Sequence, residues 1–79
     1  MTIQILGSGC PRCKALEQNA RAAAASLGID AAFEKVTDSD RIMEMGVMMT
    51  PGLAVDGMVK STGKVLNPDQ IADILMGSL

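Results

Sequence analysis

The chain has 79 residues, a net charge of −2 and a single aromatic residue, Phe33. Nucleic-acid binding needs a density of Lys and Arg, and single-strand binding usually adds aromatic platforms; the sequence has neither. No apolar run is long enough to span a bilayer, which takes about 20 residues, and Met1-Thr2-Ile3-Gln4 does not read as a signal peptide. The expectation is one domain over residues 1–79, in the cytosol, where ordinary cysteines stay reduced. Hydrophobic residues make up 48% of the chain, enough to fold, and the core must come from Ile, Leu, Val, Ala and the seven Met residues.

Ile3, Ile5 and Leu6 form a short apolar run that stops at Gly7-Ser8-Gly9, which predicts a buried strand and a sharp turn. Pro11 suits a first helical position. Leu16, Ala20, Ala23, Ala24 and Leu27 then recur at helical spacing, and Gly28 fits the cap, so a helix is predicted over 11–27. Residues 29–36, with Ala32, Phe33 and Val36, read as a second strand. Asp38 or Ser39 can cap a short helix carrying Ile42, Met43 and Met45 and ended by Gly46. Either Met43 or Met45 is expected in the core, with Met48 and Met49 in the following loop. Leu53-Ala54-Val55 reads as a third strand, and Asp56-Gly57 is a two-residue hairpin signal returning through Met58-Val59-Lys60. Gly63 ends that strand. Asn67-Pro68-Asp69-Gln70 is a helix start with a reciprocal capping box, and Ile71, Ile74 and Leu75 face the core until Gly77. The order is β-α-β-α-β-β-α. It implies a parallel first pair with a right-handed crossover, plus an antiparallel hairpin, in one mixed sheet.

Both cysteines fall in Cys10-Pro11-Arg12-Cys13, at the strand-to-helix turn. Residues three apart on a helix have Cβ atoms about 5–6 Å apart, and a disulfide needs about 3.5–4.5 Å. A small adjustment therefore lets the bond open and close without refolding. As a staple it is weak, since closing so short a loop contributes only about 2 kcal/mol. Cys10, at the start of the helix with Arg12 nearby, has its thiolate favoured by the dipole and the cation. Cys13, on the stripe that continues through Leu16 and Ala20, is expected to be more buried and less acidic. Cys10 then attacks and Cys13 resolves the mixed disulfide. If the pair is a dithiol carrier, its potential is expected between about −270 and −180 mV, the span of known carriers with this spacing. The alternative is copper(I) delivery through the same two thiolates, since copper(I) accepts two thiolates and tolerates Met. A closed zinc site would need four N or S ligands and has no candidates beyond these two cysteines.

Three features together, Cys10-Pro11-Arg12-Cys13 after the first strand, Met49-Thr50-Pro51 before the third and Gly63 before the last helix, resemble the thioredoxin-like superfamily and most closely its small redox-active disulfide branch. The resemblance covers nearly the whole chain. It implies a thioredoxin-like three-layer α/β/α fold with a four-stranded mixed sheet, and a thiol–disulfide oxidoreductase whose catalytic residues are Cys10, Cys13 and Pro51. In that family the proline is cis and faces the cysteines, which carries over to Thr50–Pro51 beside Cys10. Thr50, Pro11, Arg12 and Met49 are the implied substrate contacts, and the neighbouring backbone can pair with an extended peptide. Disulfide-containing proteins are the implied substrates and a thioredoxin-reductase-like donor the implied partner, with no cofactor beyond the Cys10–Cys13 disulfide and no resident metal. Small copper carriers instead carry a Met ahead of the pair and a β-α-β-β-α-β order. The sequence departs from the larger thioredoxins at Gly9, where they usually have Trp, and at Gln4, where many have a buried Asp. Gly63-Lys64-Val65-Leu66 does not match the segment with which glutaredoxins bind glutathione.

Overall fold

The computed structural model describes residues 1–7 and 11–77; Ser8, Gly9, Cys10, Ser78 and Leu79 lie outside the described residues. The elements run β1 (Thr2–Leu6), α1 (Pro11–Leu27), β2 (Ala32–Val36), α2 (Ser39–Glu44), β3 (Gly52–Val55), β4 (Met58–Thr62) and α3 (Pro68–Gly77). The sheet order is β2-β1-β3-β4, with β1 parallel to β2 and the β1–β3 and β3–β4 pairs antiparallel.

Side-chain alternation along β1 divides the apolar residues between two layers. Ile3 and Ile5 join Leu53 and Val55 on one face, against Leu16, Ala20, Ala23 and Ala24 of α1 and Ile71 and Leu75 of α3. Leu6 joins Val36 and Ala54 on the other face, against Ile42 of α2 and Val47. The result is the expected α/β/α sandwich with a four-stranded mixed sheet. Among the described residues no polar or charged side chain is buried, so the core carries none of the desolvation cost that such groups bring. The buried alanines of α1 present little bulk, which suits its close packing with α3. No helix of the described residues is long and apolar enough to cross a membrane.

Local signals held where they specify hydrogen bonds. The Gly28 N–H donates to the Ala25 carbonyl at 3.1 Å and the Ile29 N–H to the Ala24 carbonyl at 2.9 Å, which is the Schellman pattern that ends α1 at its expected residue. Asn67 Oδ1 accepts from the Gln70 N–H at 2.8 Å while Gln70 Oε1 accepts from the Asn67 N–H at 3.1 Å, completing the capping box. Asp38, not Ser39, caps α2, and the Asp40 N–H donates to it at 2.9 Å. Asp56 and Gly57 both take positive φ, 52° and 85°, as a type I′ hairpin requires.

One expectation needs correction. The second strand begins at Ala32, three residues later than expected, because the Ile29 N–H is used to close α1 and the Ala32 N–H is the first to bond along β1, donating to the Met1 carbonyl at 3.0 Å. β4 runs to Thr62, directly before the Gly63 expected to break it, and an irregularity in the pairing between Leu53 and Ala54 keeps Ser61 and Thr62 opposite Leu53 and Gly52. Of the two methionines offered for the core, Met45 packs on the second cluster, while Met43 is 71% exposed on α2.

A polar network covers the α1–β2 edge. Phe33 and Lys35 share the α1 face of β2, opposite Ile3 and Ile5. The Arg21 guanidinium lies 4.4 Å from the Phe33 ring centroid, close enough for a cation–π contact. Glu17 pairs with Arg21 and with Lys35, both at 3.1 Å. Desolvation pushes the Glu17 carboxyl up, but the hydrogen bonds from Lys35 and Arg21 and their charges together outweigh it and hold the pKa below its ordinary value of 4.5. A carboxylate with a lowered folded-state pKa stabilises the protein above its unfolded pKa, and that contribution is lost as pH falls through the folded value. Lys35 and Arg21 are more than half exposed, so Glu17→Gln is expected to cost no more than about 1 kcal/mol at neutral pH. In denaturant titrations across pH, the gap between wild type and variant should close below the ordinary carboxylate range; a gap that persists in acid would contradict the ion-pair account.

Candidate functional site

α1 starts at Pro11, directly after Cys10, and Cys13 falls in its first turn. Cys10 lies outside the described residues, so the site is built here from Cys13 outward. Cys13 is 4% exposed, the burial expected from its place on the Leu16–Ala20 stripe. Its sulfur lies against Gly7, the residue after β1. A Cβ placed on Gly7 would overlap the sulfur, well inside van der Waals contact, and lie 3.3 Å from the Cys13 Cβ. Glycine is required here for close approach, since any side chain would displace the thiol. The same point on Gly7 is 3.8 Å from the Thr50 Cβ. Gly7 is thus where the first turn of α1 and the loop ahead of β3 converge.

The Thr50–Pro51 peptide bond is cis. Pro51 is fully buried, whereas Thr50 beside it is exposed. The Pro51 carbonyl accepts from the Gly63 N–H at 2.8 Å, and the Gly63 carbonyl accepts from Arg12 Nη2 at 3.0 Å. Gly63 has φ +69°, and a Cβ placed on it would lie 3.2 Å from the Met49 Cβ. A side chain there would meet both backbone strain and Met49. Of the residues expected at the site, Cys13 and Thr50 therefore meet at Gly7, and Arg12, Met49 and Pro51 meet at Gly63. Pro11 is exposed at the start of α1.

Sequence reasoning gave Gly7 the role of a strand-ending turn, and Gly63 that of ending a strand and marking the family pattern, but named no contact for either. Gly7 carries a usable signal: it follows Ile3 and Ile5 at period two, so it faces the helix that begins a few residues later. For Gly63 no local signal exists, because its partners are 12 and 51 positions away in the chain.

Behind the sulfur lies a cavity of about 50 Å³ bordered by Gly7, Cys13, Lys14, Glu17 and Lys35, room for roughly one or two water molecules. It joins the thiol to the charged network on the α1–β2 edge. Gln4 does not take part in it: its amide donates to Glu34 at 3.0 Å and accepts from the Gly57 N–H at 3.0 Å, tying β1 to β2 and to the hairpin turn. Met48 and Met49, just ahead of Thr50–Pro51, are 94% and 67% exposed. Among the described residues, no three of His, Cys, Asp or Glu come together as a metal site.

The family model for the Thioredoxin domain matches residues 1–76. The chain belongs to the thioredoxin family. A thioredoxin of Methanothermobacter thermautotrophicus is 52% identical over 75 residues, covering 95% of this chain and 97% of that protein. A thioredoxin of Methanocaldococcus jannaschii is 39% identical over 79 residues, covering 100% of this chain and 91% of that protein. The match over nearly the full length of both relatives agrees with the thioredoxin-like fold described above.

The Gly7 contact gives a direct prediction. Gly7→Ala forces the Cys13 sulfur, and with it the first turn of α1, away from β1. With both cysteines reduced, chemical denaturation should show a loss of about 1–3 kcal/mol, typical of overpacking a tight contact. Stability equal to wild type would mean that the first turn is free to move.

Proposed function

We propose that this thioredoxin-family chain, acting as one domain over residues 1–79, is a thiol–disulfide oxidoreductase that exchanges disulfides of other proteins through Cys10 and Cys13. The observation that carries the reading is the setting of Cys13: a buried sulfur in the first turn of α1, seated on Gly7 where Thr50, joined to Pro51 by a cis bond, also arrives. A thiol held there is shielded from solvent and from bulky partners, yet its spacing to Cys10 suits closure of an intramolecular bond.

The steps follow from that asymmetry. The Cys10 thiolate, favoured by the unpaired N–H groups at the start of α1, attacks one sulfur of a substrate disulfide. A Cys10–substrate disulfide forms and one substrate thiolate leaves, taking up a proton. Cys13, losing its proton, then attacks the Cys10 sulfur. The second substrate thiolate leaves, and the protein holds the Cys10–Cys13 disulfide. Two electrons have passed to the substrate, and a thioredoxin-reductase-like donor returns two electrons to the pair. Thr50, Met49, Pro11 and Arg12 line the approach, where an extended segment of substrate can lie along the backbone ahead of Pro51. No cofactor beyond the disulfide takes part, and the reaction is assigned to the cytoplasm. The copper(I) alternative is disfavoured by the element order, which ends β-β-α rather than in the β-α-β of small copper carriers.

The division of roles is tested by trapping. Cys13→Ser should accumulate a mixed disulfide with a disulfide-bonded protein, visible on non-reducing gels and by mass spectrometry, whereas Cys10→Ser should accumulate none. The reverse pattern would overturn the assignment of attacking and resolving sulfur.

A further inference from the structure

Arg12 is the one position between the cysteines that neither starts the helix nor carries sulfur. An exposed arginine in the first turn of a helix ordinarily lays its stem on the surface and keeps its head in water. Here the guanidinium crosses to the far side of the site, and Nη2 donates to the Gly63 carbonyl at 3.0 Å. Gly63 is not an arbitrary acceptor. Its own N–H donates to the Pro51 carbonyl at 2.8 Å, and Met49 packs on its Cα. The left-handed backbone at Gly63, φ +69°, sets the angle between the peptide that holds Pro51 and the peptide that is held by Arg12.

We infer that Arg12 is a positioning residue whose guanidinium latches the start of α1 to the Thr50–Pro51 loop through the backbone of Gly63, setting the width of the gap that an extended segment of a substrate protein must enter. The inference rests on the oxidoreductase reading above and specifies how its substrate site is held. The latch consists of one chain of hydrogen bonds, Arg12 to Gly63 to Pro51, spanning three elements with no shared sequence neighbourhood. Because the Arg12 side chain is exposed, water replaces its bond when it is removed, and the fold stands. What is lost is the fixed distance between the first turn of α1 and the loop. A small disulfide needs little of that gap, whereas a polypeptide disulfide needs its flanking residues aligned before the sulfurs meet. The planar fork matters as well as the charge, since lysine offers a point cation on a flexible stem.

The test compares Arg12→Ala, Arg12→Lys, Gly63→Ala and the Arg12→Ala/Gly63→Ala pair in the full chain. Each is assayed for reduction of insulin and of dithiobis(nitrobenzoate), and for the pH profile of Cys10 alkylation. Arg12→Ala should raise KM for insulin by about five-fold, with the greater part of the loss in KM rather than kcat, and should lose less toward the small disulfide. Arg12→Lys should not restore KM. The pair should be no worse than its worse single member, because both substitutions break one latch. An unchanged KM, additive losses, or a loss restored by Arg12→Lys together with a displaced alkylation profile would overturn the inference, the last by showing that Arg12 acts through its charge. Arg12→Ala and Arg12→Lys decide the matter if Gly63→Ala does not fold. A wild-type chain that reduces neither disulfide would instead sink the oxidoreductase reading itself.

Discussion

The contact between the Cys13 sulfur and the bare backbone of Gly7 is the constraint on which the rest of the site depends. It fixes where α1 begins relative to the end of β1, and it removes one of the two thiols from solvent. An apolar core on both faces of the sheet holds the two elements in that relation: Ile3, Ile5 and Leu16 lock α1 onto β1 from one side, and Leu6 and Val36 anchor the strand end from the other. Protein interiors are packed densely enough that such a contact has little room to slide.

Two glycines organise the site in different ways. Gly7 works by lacking a side chain, letting sulfur and backbone approach. Gly63 works by its backbone, offering a donor to Pro51 and an acceptor to Arg12 from a left-handed turn. Between them they bring together the first turn of α1, the loop ahead of β3 and the end of β4, which are remote in sequence. The fold thus supplies rigid elements at the back of the site and exposed side chains, Thr50, Met49 and Arg12, at its front. That division suits a protein that must hold its own sulfurs in register while accepting varied polypeptide partners. Exposed methionines serve such a surface well, because the thioether chain adapts its shape at little cost.

The parts legible in the sequence are those whose information is local. Asn67 and Gln70 specify each other's hydrogen bonds three residues apart, Asp56-Gly57 specifies its own turn, and the Leu16–Ala24 stripe specifies its face; the structure carries all three as read. The cysteine spacing and Thr50-Pro51 gave the family, which the match over residues 1–76 supports. What sequence reading missed depends on contacts made only after folding. The start of β2 was misplaced because the Ile29 amide could serve either the helix cap or a strand, and the cap took it. The sequence left open whether Met43 or Met45 is in the core, and folding settles it on Met45, which with Val47 completes the contact of Ile42 on α2. The contacts of Gly7 and Gly63 were not legible because the groups that need them, Cys13 and Arg12, are placed beside them by the sheet.

The central claim is that Cys10 and Cys13 form one reversible two-electron couple within a single chain. A redox titration in buffers of defined thiol–disulfide potential, with quenching by alkylation and intact-mass readout, tests it most directly. The account predicts a single transition between a form alkylated at both cysteines and a form alkylated at neither, with a slope of about 29.6 mV per tenfold change in ratio. Persistent alkylation of both cysteines at every potential, or oxidation only through bonds between chains, would contradict it.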